Sequence, residues 1–251
     1  MASLTKVMSA GLLISMIGCR PPTELPPELG HRYRVYVDQT GSTPSKQKAS
    51  WPGIFRKDFF PRLGPGDRLE IYAIHDRTSE APALLIEELP SLSLDAGITA
   101  QLGYQRALAA LRTKAERVFE DVLDSDAKVA STSVLGLIDS YKPDSRHRPT
   151  RIVLFSDMLE SSDTCVNLER TAVHSGNLEQ LAGELLACHD WEPNVLQGVE
   201  IYCIVRAYFA GDAAPKSSRR HLEAFWSLIF SRLGAELKAF DTHLAIAGPP
   251  R

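Results

Sequence analysis

A basic face is the first thing this chain lacks. Its 28 lysines and arginines are outnumbered by 31 aspartates and glutamates, for a formal charge of −3. No basic stripe carries interleaved aromatics, so a nucleic-acid backbone would find no complementary surface. Cysteine is scarce, four in 251 residues, and no Cys-x-x-Cys pair occurs, which removes the usual zinc spacings. The seven histidines are scattered, with no His-x-x-x-His pair on a helix. The densest group is Cys188-His189-Asp190-Trp191, at a predicted helix end where a histidine serves the negative end of the dipole. Also missing are a Gly-x-Ser-x-Gly nucleophile elbow and a Gly-x-x-x-x-Gly-Lys phosphate loop.

What is present divides into a short leader and a body. Hydrophobic residues at 44% and charged residues at 24% suit a globular domain with a sizeable core. The first nineteen residues, "MASLTKVMSAGLLISMIGC", do not belong to that core. One cation, Lys6, precedes an apolar stretch from Val7 to Ile17, and small Gly18 stands before Cys19. This is the build of an export signal, too short to span a bilayer. The ending "MIGC" resembles the lipobox of bacterial lipoproteins, with Met16 where Leu is common. That resemblance implies cleavage before Cys19 and lipidation of its thiol, so that acyl chains hold the protein on a membrane. The expected location is the bacterial cell envelope; Arg20 after the cysteine implies the outer membrane, facing the periplasm, in a Gram-negative cell. A simple secretory peptide and a buried cysteine remain the alternatives. Residues 19–30 include "RPPTELPPELG", a proline-rich stretch without apolar periodicity that reads as a tether.

Of the other cysteines, Cys203 lies in the apolar strand pattern "VEIYCIVR" and reads as a small buried hydrophobe. Cys165 and Cys188 flank a predicted helix, and an oxidising envelope permits a disulfide between them. Their spacing does not settle whether they bond.

From residue 31 onward strands and helices alternate. "YRVYVD" reads as a strand and "SWPGIFRKDFFPRL" as a helix with Pro52 in its first turn. "RLEIYAIHD" is a second strand, and "PALLIEEL" an antiparallel edge strand beside it. Residues 99–124 form a long helix, with Tyr104, Ala107, Leu108, Leu111, Ala115, Val118, Phe119, Val122 and Leu123 at three- and four-residue steps. A shorter helix begins near "STSVLGLIDSY". "TRIVLFSD" is the clearest buried strand, followed by a polar loop over 158–174, a helix over 177–188, the strand "GVEIYCIVR", a helix over 217–233 and a last strand "AELKAF". This order predicts one α/β domain over 31–247: a doubly wound, mostly parallel central sheet with helices on both faces and one antiparallel edge strand.

Two strands end on an acid, "VYVD" at Asp38 and "VLFSD" at Asp157. Ligands of open parallel sheets bind outside the carboxyl ends of the strands, so both acids should open on one rim. After Asp38 come Thr40 and Ser42 at alternate positions, with Gly41 supplying a permissive backbone. This pattern resembles the von Willebrand factor A (VWA) domain and its metal-ion-dependent adhesion site. That family places Asp-x-Ser-x-Ser after its first strand, a Thr before a later helix and an Asp at the end of its fourth strand. Here the first motif is Asp38-Gln39-Thr40-Gly41-Ser42, and the fourth-strand acid is Asp157. The middle position falls in "ASTSVLGLI", with Ser131 the preferred register and Thr132 the second. Met158 follows Asp157 where the family often has Gly. The resemblance implies that Asp38, Thr40, Ser42, Ser131 and Asp157 hold Mg2+ or Mn2+, hard ions that prefer such oxygens. It implies a role in which a protein partner's carboxylate completes the ion's shell, with no catalysis.

Three alternatives stand beside that reading. Asp38, Thr40 and Ser42 are also ordinary turn and capping residues, so the domain could be a metal-free scaffold of the same fold. A phosphatase of the haloacid-dehalogenase kind would use Asp38 as nucleophile, but Thr40 stands where its general acid belongs. The polar segment 161–177 either carries a partner-reading surface or is a connector pinned by Cys165.

Overall fold

The computed structural model describes residues 30–40, 48–93, 95–125, 131–161, 165–205, 217–244 and 246. The expected signal segment with Cys19, the tether up to residue 29, and Ser42 lie outside the described residues.

The central strands form where the apolar spacing calls for burial on both faces. β1 (Arg32–Asp38), β2 (Arg68–Ile74), β3 (Leu85–Glu88), β4 (Thr150–Phe155), β5 (Glu200–Ile204) and β6 (Glu236–Asp241) join in one sheet. Their order is β3-β2-β1-β4-β5-β6. All neighbours are parallel except β2 and β3, which run antiparallel at one edge. In β4 the residues from Ile152 to Phe155 are all fully buried, the state expected of a parallel strand covered on both sides. Strand order turns back between β1 and β4, which places the switch-point crevice beyond the ends of those two strands.

Helices cover both faces. On one side lie α1 (Trp51–Ile54) and the long α2 (Ile98–Leu123). Tyr33, Val35 and Val37 of β1 pack there with Trp51, Phe55, Phe119 and Ala115. On the other side are α3 (Gly136–Asp139), α4 (Leu178–Cys188) and α5 (Arg219–Arg232). Their Leu137, Leu181, Phe225 and Trp226 pack with Tyr36, Ile152 and Leu154. The architecture is thus the doubly wound, mostly parallel one that the alternation implied, including the antiparallel edge strand.

One predicted helix changes form. The expected single helix over "SWPGIFRKDFFPRL" is α-helical only through Ile54, then makes a π turn over Phe55–Phe59 and a 3-10 turn over Phe60–Arg62. Phe60 N–H reaches back to the carbonyl of Phe55, five residues away, and Pro61 has no N–H to continue an α ladder. The wider turn lets Phe55, Phe59 and Phe60 all face the core, with Phe55 stacked 4.3 Å from Phe119.

Cys165 and Cys188 are joined by a disulfide, α-carbons 6.5 Å apart, tying the end of α4 to the segment before it. Cys203 is a free, fully buried thiol, and burial pushes its pKa well up. Among the described residues no helix is long and apolar enough to cross a membrane.

Candidate functional site

Asp38 is the last residue of β1 and is fully buried. A carboxylate in such a place must have partners, because a buried unpaired charge is very costly. Its Oδ1 accepts from Thr40 N at 2.8 Å and from Thr40 Oγ1 at 2.6 Å. Its Oδ2 accepts from Ser156 Oγ at 2.7 Å. Ser156 reaches it because β1 and β4 run in register, Val37 beside Phe155, so the next residue of each strand also meets its neighbour.

A third hydroxyl comes from the loop before α3. Thr132 Oγ1 donates to Thr40 Oγ1 at 2.9 Å, and Thr132 is fully buried. This corrects the expected register: Thr132, not Ser131, meets the Asp38 loop, while Ser131 is only half-buried. The reason is alternation. Burial alternates here, with Thr132 and Val134 fully buried and Ser131 and Ser133 only half-buried. The loop is clipped on two sides. Thr132 N donates to Ser161 Oγ and Ser161 N to Thr132 O, at 2.8 and 3.0 Å, while Ser133 N donates to the carbonyl of His75 at 3.1 Å. Gly136 allows the close approach: a Cβ there would lie 2.8 Å from both Ser79 N and Thr78 Cβ.

Asp157 lies just past β4 and is 3% exposed. Its Oδ1 accepts from Leu159 N at 3.0 Å. The backbone then passes through Met158 at φ 61°, the left-handed region that glycine enters freely and a long side chain does not. Three contacts hold it there: Met158 N donates to Ser156 Oγ at 3.0 Å, Trp226 Nε1 of α5 donates to Met158 O at 2.9 Å, and the Met158 side chain is fully buried. Here tertiary contacts replace that freedom.

Asp38, Thr40, Thr132 and Asp157 therefore gather at one rim, as expected of Asp38, Thr40 and Asp157. Ser42 lies outside the described residues. Ser156 was missed by sequence reasoning; its position directly before Asp157, across from the end of β1, is a signal only once register is known.

Lys48 also belongs to this rim. It is half-buried, and its Nζ donates to the carbonyl of Thr40 at 2.8 Å. Burial lowers its pKa below the ordinary lysine value, against the pull of the Asp38 and Asp157 carboxylates. The ammonium thus stands in the field of both acids.

Asp38, Thr40, Thr132, Ser156 and Asp157 would suit a hard divalent cation, because each offers a carboxylate or hydroxyl oxygen. Among the described residues no group of three or more His, Cys, Asp or Glu gathers to hold a metal. Any ion here would rest on two carboxylates assisted by hydroxyls. Elsewhere, His189 stacks on Trp191 with ring centroids 4.2 Å apart, and Trp191 Nε1 donates to Asp139. That histidine plays a packing role.

No family model matches the chain. No curated protein matches it either. Solved structures do. The proximal thread matrix protein 1 of the mussel byssus is similar at 11% identity and a TM-score of 0.39, over 84% of this chain and 44% of that one. The conserved hypothetical protein BatB from Bacteroides thetaiotaomicron is similar at 11% identity and 0.41, over 86% and 92%. A von Willebrand factor type A structure from Catenulispora acidiphila is similar at 10% identity and 0.36, over 84% and 38%. This chain thus spans less than half the length of the mussel and Catenulispora chains.

Proposed function

We propose that this protein is a VWA-like binding module, held on a bacterial envelope membrane through lipidated Cys19, that engages a protein partner at the rim beyond β1 and β4. One observation carries the reading. Asp38, Thr40, Thr132 and Ser156 come from three separate segments, yet are drawn into one hydrogen-bonded network at the switch point of the sheet, with Asp157 next in the chain after Ser156. Such a concentration of buried polar groups serves the core poorly and a binding rim well. No catalytic role is assigned, since Thr40 stands where a phosphatase would need a second acid.

Mg2+ or Mn2+ forms part of the proposal. Asp38, Thr40, Thr132 and Asp157 would hold the ion, joined by Ser42 from outside the described residues. A bound ion would supply an open coordination position for a partner's carboxylate. The metal-free alternative has its own support in Lys48, which brings a positive charge to the same two acids.

The test is comparative capture. Full-length wild type and Asp38→Ala are each used to recover proteins from envelope extracts of the source cell. A partner recovered by wild type and reduced at least tenfold with the folded variant supports the rim; equal recovery by both rejects it. Cys19→Ala is expected to move the protein out of the membrane fraction, and an unchanged distribution removes the anchor. Hydrolysis of a generic phosphomonoester that disappears in Asp38→Asn would favour the phosphatase instead.

A further inference from the structure

We propose that Lys48 is a built-in competitor for the divalent cation, its ammonium offsetting part of the negative charge of the Asp38–Asp157 pair whenever no ion is bound. This rests on the cation-assisted reading of the rim and adds a residue that the family pattern does not contain.

The geometry is short and direct. Lys48 Nζ is 2.8 Å from the Thr40 carbonyl, and Thr40 in turn gives both its N–H and its hydroxyl to Asp38 Oδ1. One residue therefore links the ammonium to the acid. Asp38 and Asp157 both act on the Lys48 charge, and they are the two carboxylates that favour it. Two buried acids at one rim repel each other unless a cation lies between or beside them. A metal ion is one solution and a tethered ammonium a partial one, and the two repel each other. With Lys48 in place one of the two negative charges is offset, so a divalent ion gains less from entering the rim. A divalent ion must then displace a group whose local concentration is set by the chain itself, which weakens its binding.

The hydroxyls leave this competition to the charges. Thr132 donates to Thr40, Thr40 to Asp38, and Ser156 to Asp38. A hydroxyl oxygen keeps lone pairs while it donates its proton, so an entering ion would compete with the ammonium rather than with these bonds.

The experiment is a Mn2+ titration of the full chain, followed by paramagnetic resonance of the free ion and by calorimetry. The proteins are wild type, Lys48→Gln, Lys48→Arg, and Lys48→Gln combined with Asp38→Asn. Gln keeps a donor for the Thr40 carbonyl and removes the charge, whereas Arg keeps the charge. Lys48→Gln is expected to bind Mn2+ at least tenfold more tightly than wild type, with Arg close to wild type and the double variant without binding. Thermal melting gives a second readout that survives a partial loss of fold: Mn2+ should raise the Tm of Lys48→Gln by several degrees more than that of wild type. Equal Mn2+ affinity in wild type and Lys48→Gln overturns the proposal. Absence of Mn2+ binding in every variant overturns it too, together with the cation part of the functional reading. The partner-capture result is independent of both, so a rim that captures its partner without any Mn2+ binding would leave the binding module standing and remove only the competition.

Discussion

Arg34 and Asp38 lie on the same face of the same strand, four residues apart, and their surroundings solve opposite problems. Around Arg34 the charges are paired within the sheet. Glu70, directly across from it on β2, accepts two bonds from Arg32 at 3.0 and 2.9 Å, one from Arg68 at 2.7 Å and one from Tyr72 at 2.8 Å. Arg34 approaches the same carboxylate at 3.5 Å and lays its guanidinium 4.6 Å from the Tyr72 ring centroid and 5.3 Å from that of Tyr36. Arg32 and Arg68 are themselves register partners, a like-charge pair that needs Glu70 between them. At the other end of the strand, Asp38 is served by hydroxyls on loops rather than by guanidinium groups on neighbouring strands. The first cluster is rigid because the sheet fixes every member. The second is assembled from segments beyond the strand ends, each held by its own loop contacts.

The sharpest way to break this contrast is at Glu70. Glu70→Ala should cost about 3–5 kcal/mol, because it strands buried guanidinium groups without their acid; urea unfolding would measure it, and a cost near that of a surface change would show the cluster to be ornamental. The same residue should set an acid limit. Burial alone would raise the Glu70 pKa, but hydrogen bonds and charge from Arg32, with help from Tyr72 and Arg68, bring it below the ordinary glutamate value of 4.5. A depressed folded pKa contributes stability that is present above the unfolded value and is lost as pH falls through the folded one. Wild type should therefore lose Tm below pH ~4.5 more steeply than Glu70→Gln.

Changes at the rim should be milder. Asp38→Asn keeps the size of the side chain and one carbonyl oxygen, so about 1–3 kcal/mol is expected, with far-UV circular dichroism unchanged. A loss as large as that of Glu70→Ala would mean that the rim is as structural as the other cluster. Smallest of all is the register test. Thr132→Ala should cost about 1 kcal/mol for one buried hydrogen bond, and Ser131→Ala should stay within about 0.5 kcal/mol. The reverse order of these two would return Ser131 to the site.

Much of the fold was legible because its signals are local. β4 could be read from four consecutive apolar residues, and α2 from its three- and four-residue steps; the structure puts α2 at Ile98–Leu123 against an expected 99–124. The run from Trp51 was read correctly as helical but not as a π turn. That depends on which of Phe55, Phe59 and Phe60 the core can admit, and on Pro61 breaking the ladder. At the rim, Asp38, Thr40 and Asp157 were legible as acids and hydroxyls at strand ends. Thr132 could have been preferred to Ser131 by counting back two from buried Val134. Ser156 and Lys48 carried no such signal. A serine beside an acid and a lysine ten residues after one are commonplace until the partner strand and the returning chain are in place.

Local spacing was enough to specify how this protein alternates between strands and helices and that two strands end on an acid, because periodicity and burial are properties of short segments. Strand order and register were not specified that way. They place Ser156 across from Asp38, Glu70 among three arginines and the Lys48 ammonium within the field of two carboxylates, since those meetings depend on residues brought together from distant parts of the chain.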